Sequence, residues 1–235
     1  TTYPCILRIG AGSPRERFDA VQVETLDYPD LTEYVKAHSY QVDQTALDDG
    51  EWSLADEKTQ ALLLKIRAAG VPLGTYVDGK IYRGVVTGLN EAFVIDEATR
   101  ERLIAADPQS AEIIKPFLAG RDVRRYQPLE LNKYLIFTRR GINIEDYPAI
   151  KKHLELYKEK LIPRPRDWPS AKPWPGRKAG SYQWYEVQDS IDYYQEFEKP
   201  KIIYPNICKG PEFTYDESNN YTNQKCFIIT IPDKY

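Results

Sequence analysis

The sequence holds no methionine, two histidines and three cysteines in 235 residues. Cys5, Cys208 and Cys226 lie far apart with no C-x-x-C pair, which excludes a thioredoxin-like motif and a dense disulfide scaffold. Such spacing suits free thiols in a reducing cytoplasm. With only His38 and His153 besides, no zinc-ligand set is present. No apolar run reaches the roughly 18 residues of a membrane span, and the N-terminus lacks a signal-peptide pattern. Methionine is missing even at position 1, and the chain ends in a strand-like apolar run at 226–231. We read it as a piece of a longer protein. Charged residues at 29% and hydrophobic ones at 42% are ordinary for a globular protein, and the length suffices for one large domain or two smaller ones.

What is abundant is polarity of charge. Residues 115–178 hold sixteen of the 32 Lys and Arg and seven of the 35 acidic residues, a local charge of +9 in a chain whose total is −3. Tyr126, Tyr134, Phe137, Tyr147, Tyr157, Trp168 and Trp174 are interleaved with those cations. Cations neutralise phosphates and rings stack on bases, so this mixture fits a nucleic-acid surface. It equally fits a solvated charged face over buried rings, and composition does not choose between them.

In chain order, residues 1–70 form an acidic region. Residues 3–9 (YPCILRI) read as a buried strand followed by a Gly10–Pro14 turn. A dinucleotide loop is disfavoured because Arg15 stands where a third glycine belongs. Ser53 reads as the N-cap of a packing helix over 54–69 carrying Leu62, Leu63 and Ile66, with Gly70 and Pro72 ending it. Asp78-Gly79 predicts a type I′ hairpin between 75–77 and 81–87. Asp78-x-Lys80 is also half of a nuclease D-x-K signature, but it lacks a second carboxylate and the Asp-Gly turn accounts for it. Thr87-Gly88-Leu89-Asn90 reads as a tight connection between strands, without the Lys-Ser/Thr of a phosphate cradle.

Residues 97–105 and 110–115 read as helices broken at Asp107-Pro108. Arg121, Arg124 and Arg125 follow a glycine in a loop, where a guanidinium fork reaches a phosphate or a guanine edge. A strand over 134–138 delivers Arg139, Arg140 and Gly141. Pro148 opens a helix whose stripe is Tyr147, Ile150, Leu154, Tyr157 and Leu161, which leaves Lys151, Lys152, Lys158 and Lys160 mostly in solvent. Residues 163–175, with five prolines and two tryptophans, read as a stiff ligand-facing loop. Strands are expected over 180–187, 201–204 and 223–231, with an acidic helix around 190–197.

Several of these stretches together resemble a known family. KIYRGVVTGLNEAFVI (80–95), IKPFLAGRDVRRY (114–126), YLIFTRRG (134–141), WYEVQ (184–188) and KPKIIYP (199–205) are similar to the TaqI-like C-terminal specificity domain of type II, chiefly type IIG, restriction–modification enzymes. The resemblance spans roughly residues 75–231. In that family an adenine-specific DNA methyltransferase is fused to a target-recognition domain. No Asn-Pro or Pro-Pro dipeptide occurs here, so the catalytic N-P-P-[YF] motif is absent, as is F-x-G-x-G. The resemblance therefore implies no cofactor in this chain and S-adenosylmethionine in the parent enzyme.

The expectations that follow are an α+β fold, with a mixed or antiparallel sheet, flanking helices and long basic loops over 75–235. A small acidic α/β connecting region, 1–74, precedes it. The function expected is recognition of double-stranded DNA beside the methyltransferase domain of the same polypeptide, in a prokaryotic cytoplasm, with no membrane. The candidate DNA-contacting residues are Arg83, Thr87, Asn90, Arg121, Arg124, Arg125, Lys133, Arg139, Arg140, Arg177, Lys178 and Tyr182, and no residue is assigned to catalysis or metal. The alternative is a scaffold whose basic segment docks the acidic part of the same enzyme.

Overall fold

The structure is a computed structural model and describes residues 6–13, 15–47, 52–125, 127, 129, 131–169, 172–208 and 210–230. Its contacts divide the chain into two units, Thr1–Pro72 and Leu73–Tyr235.

In the first unit, β1 (Arg17–Ala20) pairs antiparallel with β2 (Tyr40–Asp43). Between them lies α1 (Leu31–His38), whose N-cap Asp30 accepts a hydrogen bond from the Glu33 amide. The second helix, α2 (Glu57–Ala69), begins later than the sequence suggests. Asp56 caps it, accepting from the amides of Lys58 at 2.9 Å and Thr59 at 3.1 Å, because a carboxylate reaches both orphan donors of a first turn. Ser53 lies outside the helix, and its carbonyl accepts from the Gln60 side chain instead. No side chain of α2 is buried, and Leu62 and Ile66 are exposed, so the expected packing stripe is absent. The strand expected over 3–9 is also absent in its described part. Ile6, Leu7 and Ile9 are exposed and unpaired, an apolar run without a neighbouring strand to complete it; residues 3–5 lie outside the described residues.

The second unit is α+β. One sheet has the order β3 (Ile81–Arg83), β10 (Cys226–Ile229), β7 (Lys201–Pro205), β8 (Thr214–Asp216), all antiparallel. The other has the order β4 (Val94–Ile95), β6 (Tyr134–Ile136), β5 (Ile114–Leu118), β9 (Tyr221–Thr222), and is mixed because β5 and β9 run parallel. They meet where the Val85 amide donates to the Thr222 carbonyl at 2.7 Å. A Cβ on Gly84 would lie 2.0 Å from the Asn223 carbonyl, so only glycine lets the backbones approach there.

Helix α6 (Pro148–Glu155) starts with Pro148 at its first turn, as expected, and the short helix α7 (Lys158–Leu161) follows after a break. Ile150, Leu154 and Leu161 are fully buried, joining Phe93, Leu118, Leu135, Ile136, Ile203 and Ile228 in one core.

Five local expectations are corrected. Asp78 and Gly79 do have positive φ, 52° and 69°, but they close the short helix α3 (Leu73–Tyr76), with the Gly79 amide bonded to the Gly74 carbonyl, and not a hairpin. The turn at Gly88 leads from β3 into α4 (Asn90–Phe93) and β4, so it connects two sheets through a helical turn. Residues 110–115 are split between a 3-10 turn, Pro108–Glu112, and β5; Asp107 caps that turn and also ends α5 (Glu97–Ala106). Residues 180–187 form turns, not a strand, because their carbonyls are taken by a side chain described below. The acidic segment at 190–197 is reduced to a 3-10 turn, Tyr194–Glu198.

Candidate nucleic-acid interface

The candidate residues fall into two physically different groups. The first is a buried polar node built from three of the sequence motifs. Arg177 is 4% exposed and uses every one of its five N–H groups on a backbone carbonyl. Its Nε donates to Leu161 at 2.8 Å. Its Nη1 donates to Thr87 at 2.9 Å and Glu186 at 2.7 Å, and its Nη2 to Gln183 at 3.2 Å and Trp184 at 2.9 Å. Burial pulls its pKa down to about 10, which leaves it charged at neutral pH. A strand at 180–187 would have spent those carbonyls on a ladder; here they are spent on Arg177.

Around this guanidinium the rest of the node closes. The Glu186 carboxylate accepts from the amides of Gly141 and Gln183, each at 2.8 Å. Arg140 donates to the carbonyls of Val187 and Gln188 and lies 3.5 Å from Glu186. The Tyr182 ring has the Arg177 guanidinium at 4.4 Å and that of Arg140 at 5.0 Å, and its hydroxyl donates to the Lys178 carbonyl. Thr87, buried, donates to Oδ1 of Asn90 at 2.7 Å and accepts from the Leu89 amide, which fixes the turn before α4. Thr87, Arg140, Arg177 and Tyr182 are therefore brought together, but as structure holding three motifs in place. Their polar groups are committed to the protein, so they are withdrawn as direct DNA contacts. Asn90 is exposed and keeps its Nδ2 for solvent or a ligand.

The second group is exposed. Arg121, with its side chain 75% exposed, has Asp122 at 3.7 Å. Arg124 is exposed and donates to its neighbour's carbonyl, Val123, at 2.9 Å. The loop carrying them is pinned to the segment before β8. The Arg125 amide donates to Glu212 at 2.7 Å, and the Thr214 hydroxyl donates to the Arg124 carbonyl at 2.9 Å. Asp122 caps the loop from inside, accepting from the Ala119 amide at 2.7 Å. Lys225, an exposed cation that the sequence did not single out, lies against Gly120, its Cβ 3.4 Å from where a Cβ would stand there. A hundred residues separate it from Arg121 in sequence, and no local pattern announces that approach.

Arg139 is exposed, its guanidinium 5.3 Å from the Tyr194 ring. It does not join the loop arginines. β5 and β6 pair antiparallel, with Ile114 opposite Ile136, so residues 119–133 turn at one end of that hairpin and Arg139 leaves the other. A five-residue strand separates the two ends by about 17 Å. Arg83 lies half exposed on β3 with Asp189 at 2.5 Å. Lys133 is half-buried and borders an open cleft of about 570 Å³ with Asp96, Asn132 and His153. Lys178 is exposed.

Several other cations of the basic segment are neutralised: Lys115 by Glu198 at 3.0 Å, Lys151 by Glu145 at 2.6 Å and Lys160 by Glu91 at 2.7 Å. The proline-rich stretch is folded on itself. Trp168 and Trp174 meet edge to face, their indole N–H groups donate to the Lys172 and Ile162 carbonyls, and Arg164 and Arg166 stay exposed. Among the described residues no cluster of His, Cys, Asp or Glu could hold a metal ion, and no helix is long and apolar enough to cross a membrane.

Comparison with known proteins gives two results. A structure of the type IIL restriction-modification enzyme MmeI in complex with DNA is similar, with a TM-score of 0.45 and 11% identity over 94% of this chain. The match covers 26% of the MmeI chain, so this chain spans about a quarter of that enzyme's length. Residues 115–235, just over half of the chain, match the family model of the TaqI-like C-terminal specificity domain. They include the exposed arginine loop, the Arg139 end of the hairpin and most of the Arg177 node. The chain belongs to the TaqI-like C-terminal specificity domain family.

Proposed function

We propose that this chain is a DNA target-recognition module of a restriction–modification enzyme, and that the exposed cations around residues 119–125, with Lys225, are its principal phosphate contacts. The observation that carries this reading is family membership across 115–235, the same stretch that holds the exposed loop arginines. Arginine suits that work because its fork donates two parallel hydrogen bonds to a phosphate or a guanine edge. Arg139, about 17 Å away along the hairpin, would meet the duplex roughly half a helical turn further on. Asn90, Arg83, Lys133 and Lys178 are secondary contacts in this reading.

Adenine-specific methyl transfer is proposed for the parent enzyme, working in a prokaryotic cytoplasm with its methyltransferase domain opposite this module across the duplex. S-adenosylmethionine would bind there and supply the methyl group. The turn at Gly88 does not fit it. The strand-to-helix turn at Gly88 is filled from behind by the Arg177 side chain, whose Cδ would lie 2.7 Å from a Cβ on Gly88, so it leaves no cradle for a nucleoside.

Charge reversal tests the reading against a docking role within the same enzyme. In the full-length parent, Arg124→Glu/Arg125→Glu is expected to abolish protection of DNA by methylation while the protein still folds and assembles. Loss of assembly with DNA protection intact would support the docking role instead.

A further inference from the structure

The sheet β3-β10-β7-β8 turns one row of aromatic side chains away from the core. Lys201, Ile203, Pro205, Cys226 and Ile228 are buried, whereas Tyr204 and Phe227, at the alternate positions, are half exposed. Tyr204 faces Phe227 across the β7–β10 pair, and Phe227 faces Arg83 across the β10–β3 pair. Phe213, just before β8, is 47% exposed and its ring centroid lies 5.2 Å from that of Tyr204. The Tyr204 and Phe227 rings stack at 5.6 Å. Phe213, Tyr204, Phe227 and Arg83 thus form one line across four strands, about 15 Å long at the usual strand spacing. Tyr215, 50% exposed, lies two residues along β8 from Phe213.

Arg83 borders this row at one end and the backbone of the 119–125 loop at the other. Arg83 terminates it on β3, held by Asp189. At the other end Glu212 and Thr214, the residues flanking Phe213, bind the backbone of Arg125 and Arg124. Lys225 lies two residues before Phe227, its carbonyl accepting from the Asn206 amide two residues beyond Tyr204. Carboxylates are also present: Glu212 and Asp189 as given, and Glu217, which accepts from the Tyr215 hydroxyl at 3.2 Å. Adjacent half-exposed rings in line, with arginines beside them, are what a strand of unpaired nucleotides needs. Each base finds a π-face and the backbone finds cations, with no dependence on sequence. An apolar partner surface would have no use for the half-exposed Arg83 side chain at the end of the row.

We propose that this row is a stacking platform for an unpaired DNA strand, adjoining at its Phe213 end the 119–125 loop that holds the duplex. The proposal rests on the DNA-recognition reading, because a locally opened duplex is the source of such a strand. A module that held bases exposed by the parent's work on the duplex would stabilise the opened state and leave the loop arginines to the paired region.

The test is equilibrium binding of the 235-residue chain to a labelled single strand and to a duplex of the same sequence. Tyr204→Leu/Phe227→Leu keeps apolar bulk while removing the π-faces, and Tyr204→Phe keeps the ring. The leucine pair is expected to weaken single-strand binding by about tenfold or more, with duplex binding unchanged, and Tyr204→Phe to bind as the parent chain does. Equal single-strand affinity in the leucine pair, at an unchanged thermal midpoint, would overturn the platform. So would a concentration-dependent dimer abolished by the leucine pair, because the row would then be a contact between copies of the chain. If the leucine pair melts early, photo-crosslinking of an iodouracil-substituted strand to the unaltered chain decides. Adducts on Tyr204, Phe213 or Phe227 support the platform, and adducts confined elsewhere refute it. Binding of neither DNA form would instead refute the DNA-recognition reading itself.

Discussion

Arg177 donates a 2.9 Å hydrogen bond from Nη1 to the carbonyl of Thr87, ninety residues earlier in the chain. That bond ties the turn before α4 to the segment at 183–186, and the other four N–H groups complete the tie. Arg177→Ala leaves five carbonyls without their donor, three of them in buried bonds, so a loss of about 3–5 kcal/mol is expected by urea denaturation. Arg177→Lys retains three donors on a point charge and is expected to recover only part of it. A variant as stable as the parent chain would show that the node is not structural.

Gly88 and Gly141 separate shape from backbone. Both have positive φ, 79° and 76°, but a Cβ on Gly88 meets Arg177 at 2.7 Å, whereas one on Gly141 meets nothing within 4 Å. Gly141→Ala is expected to cost about 1 kcal/mol, the conformational part alone. Gly88→Ala adds the clash and is expected to cost about 2–4 kcal/mol in the same denaturation series.

His153 gives a pH dependence with a definite sign. It is buried, its Nε2 pairs with the Ala92 carbonyl at 3.0 Å, and burial holds its pKa below the ordinary 6.5. The unfolded chain therefore takes up a proton at a pH where the folded chain does not. Its contribution is complete above pH 6.5 and is lost as pH falls from there toward the folded value. Urea midpoints at pH 7.5 and 5.5 should fall further for the parent chain than for His153→Gln, which keeps a donor for Ala92 and does not titrate.

Lys201 and Asp216 are opposite each other in the β7–β8 register and pair at 2.6 Å with their side chains almost wholly buried. Asp216 also accepts from the amides of Ser218 and Asn220 and from the Asn220 side chain. Lys201→Met strands that carboxylate and is expected to cost about 3–5 kcal/mol. Lys201→Met/Asp216→Asn should cost clearly less than the two single changes added together, and strict additivity would show that the residues do not act as a pair.

The parts of this molecule legible in the sequence are those fixed by local chemistry. Pro148 opens its helix, Ile150, Leu154 and Leu161 of the expected stripe are buried with Tyr147 and Tyr157 packed against them, and the strand expected over 201–204 is present at 201–205. What misled was competition for backbone groups over long range. Residues 180–187 look like a strand until Arg177 claims their carbonyls, and Arg177 looks like a phosphate ligand until the same bonds are counted. Likewise Arg121 and Arg139 sit in one basic segment of sequence but at opposite ends of a hairpin. The alternation of Ile202 with Tyr204 and of Phe213 with Tyr215 does carry the outward aromatic row, and a period-two reading of those strands finds it. Lys225 has no such signal.

The account stands most directly on the salt dependence of duplex binding. If about six phosphates are neutralised, log K should fall against log salt concentration with a slope near −5. Replacing Arg121, Arg124 and Arg125 by alanine should bring that slope toward about −3, with the fold intact by circular dichroism. Binding that does not change with salt, or a slope the triple replacement leaves unaltered, would contradict the claim that this loop holds DNA.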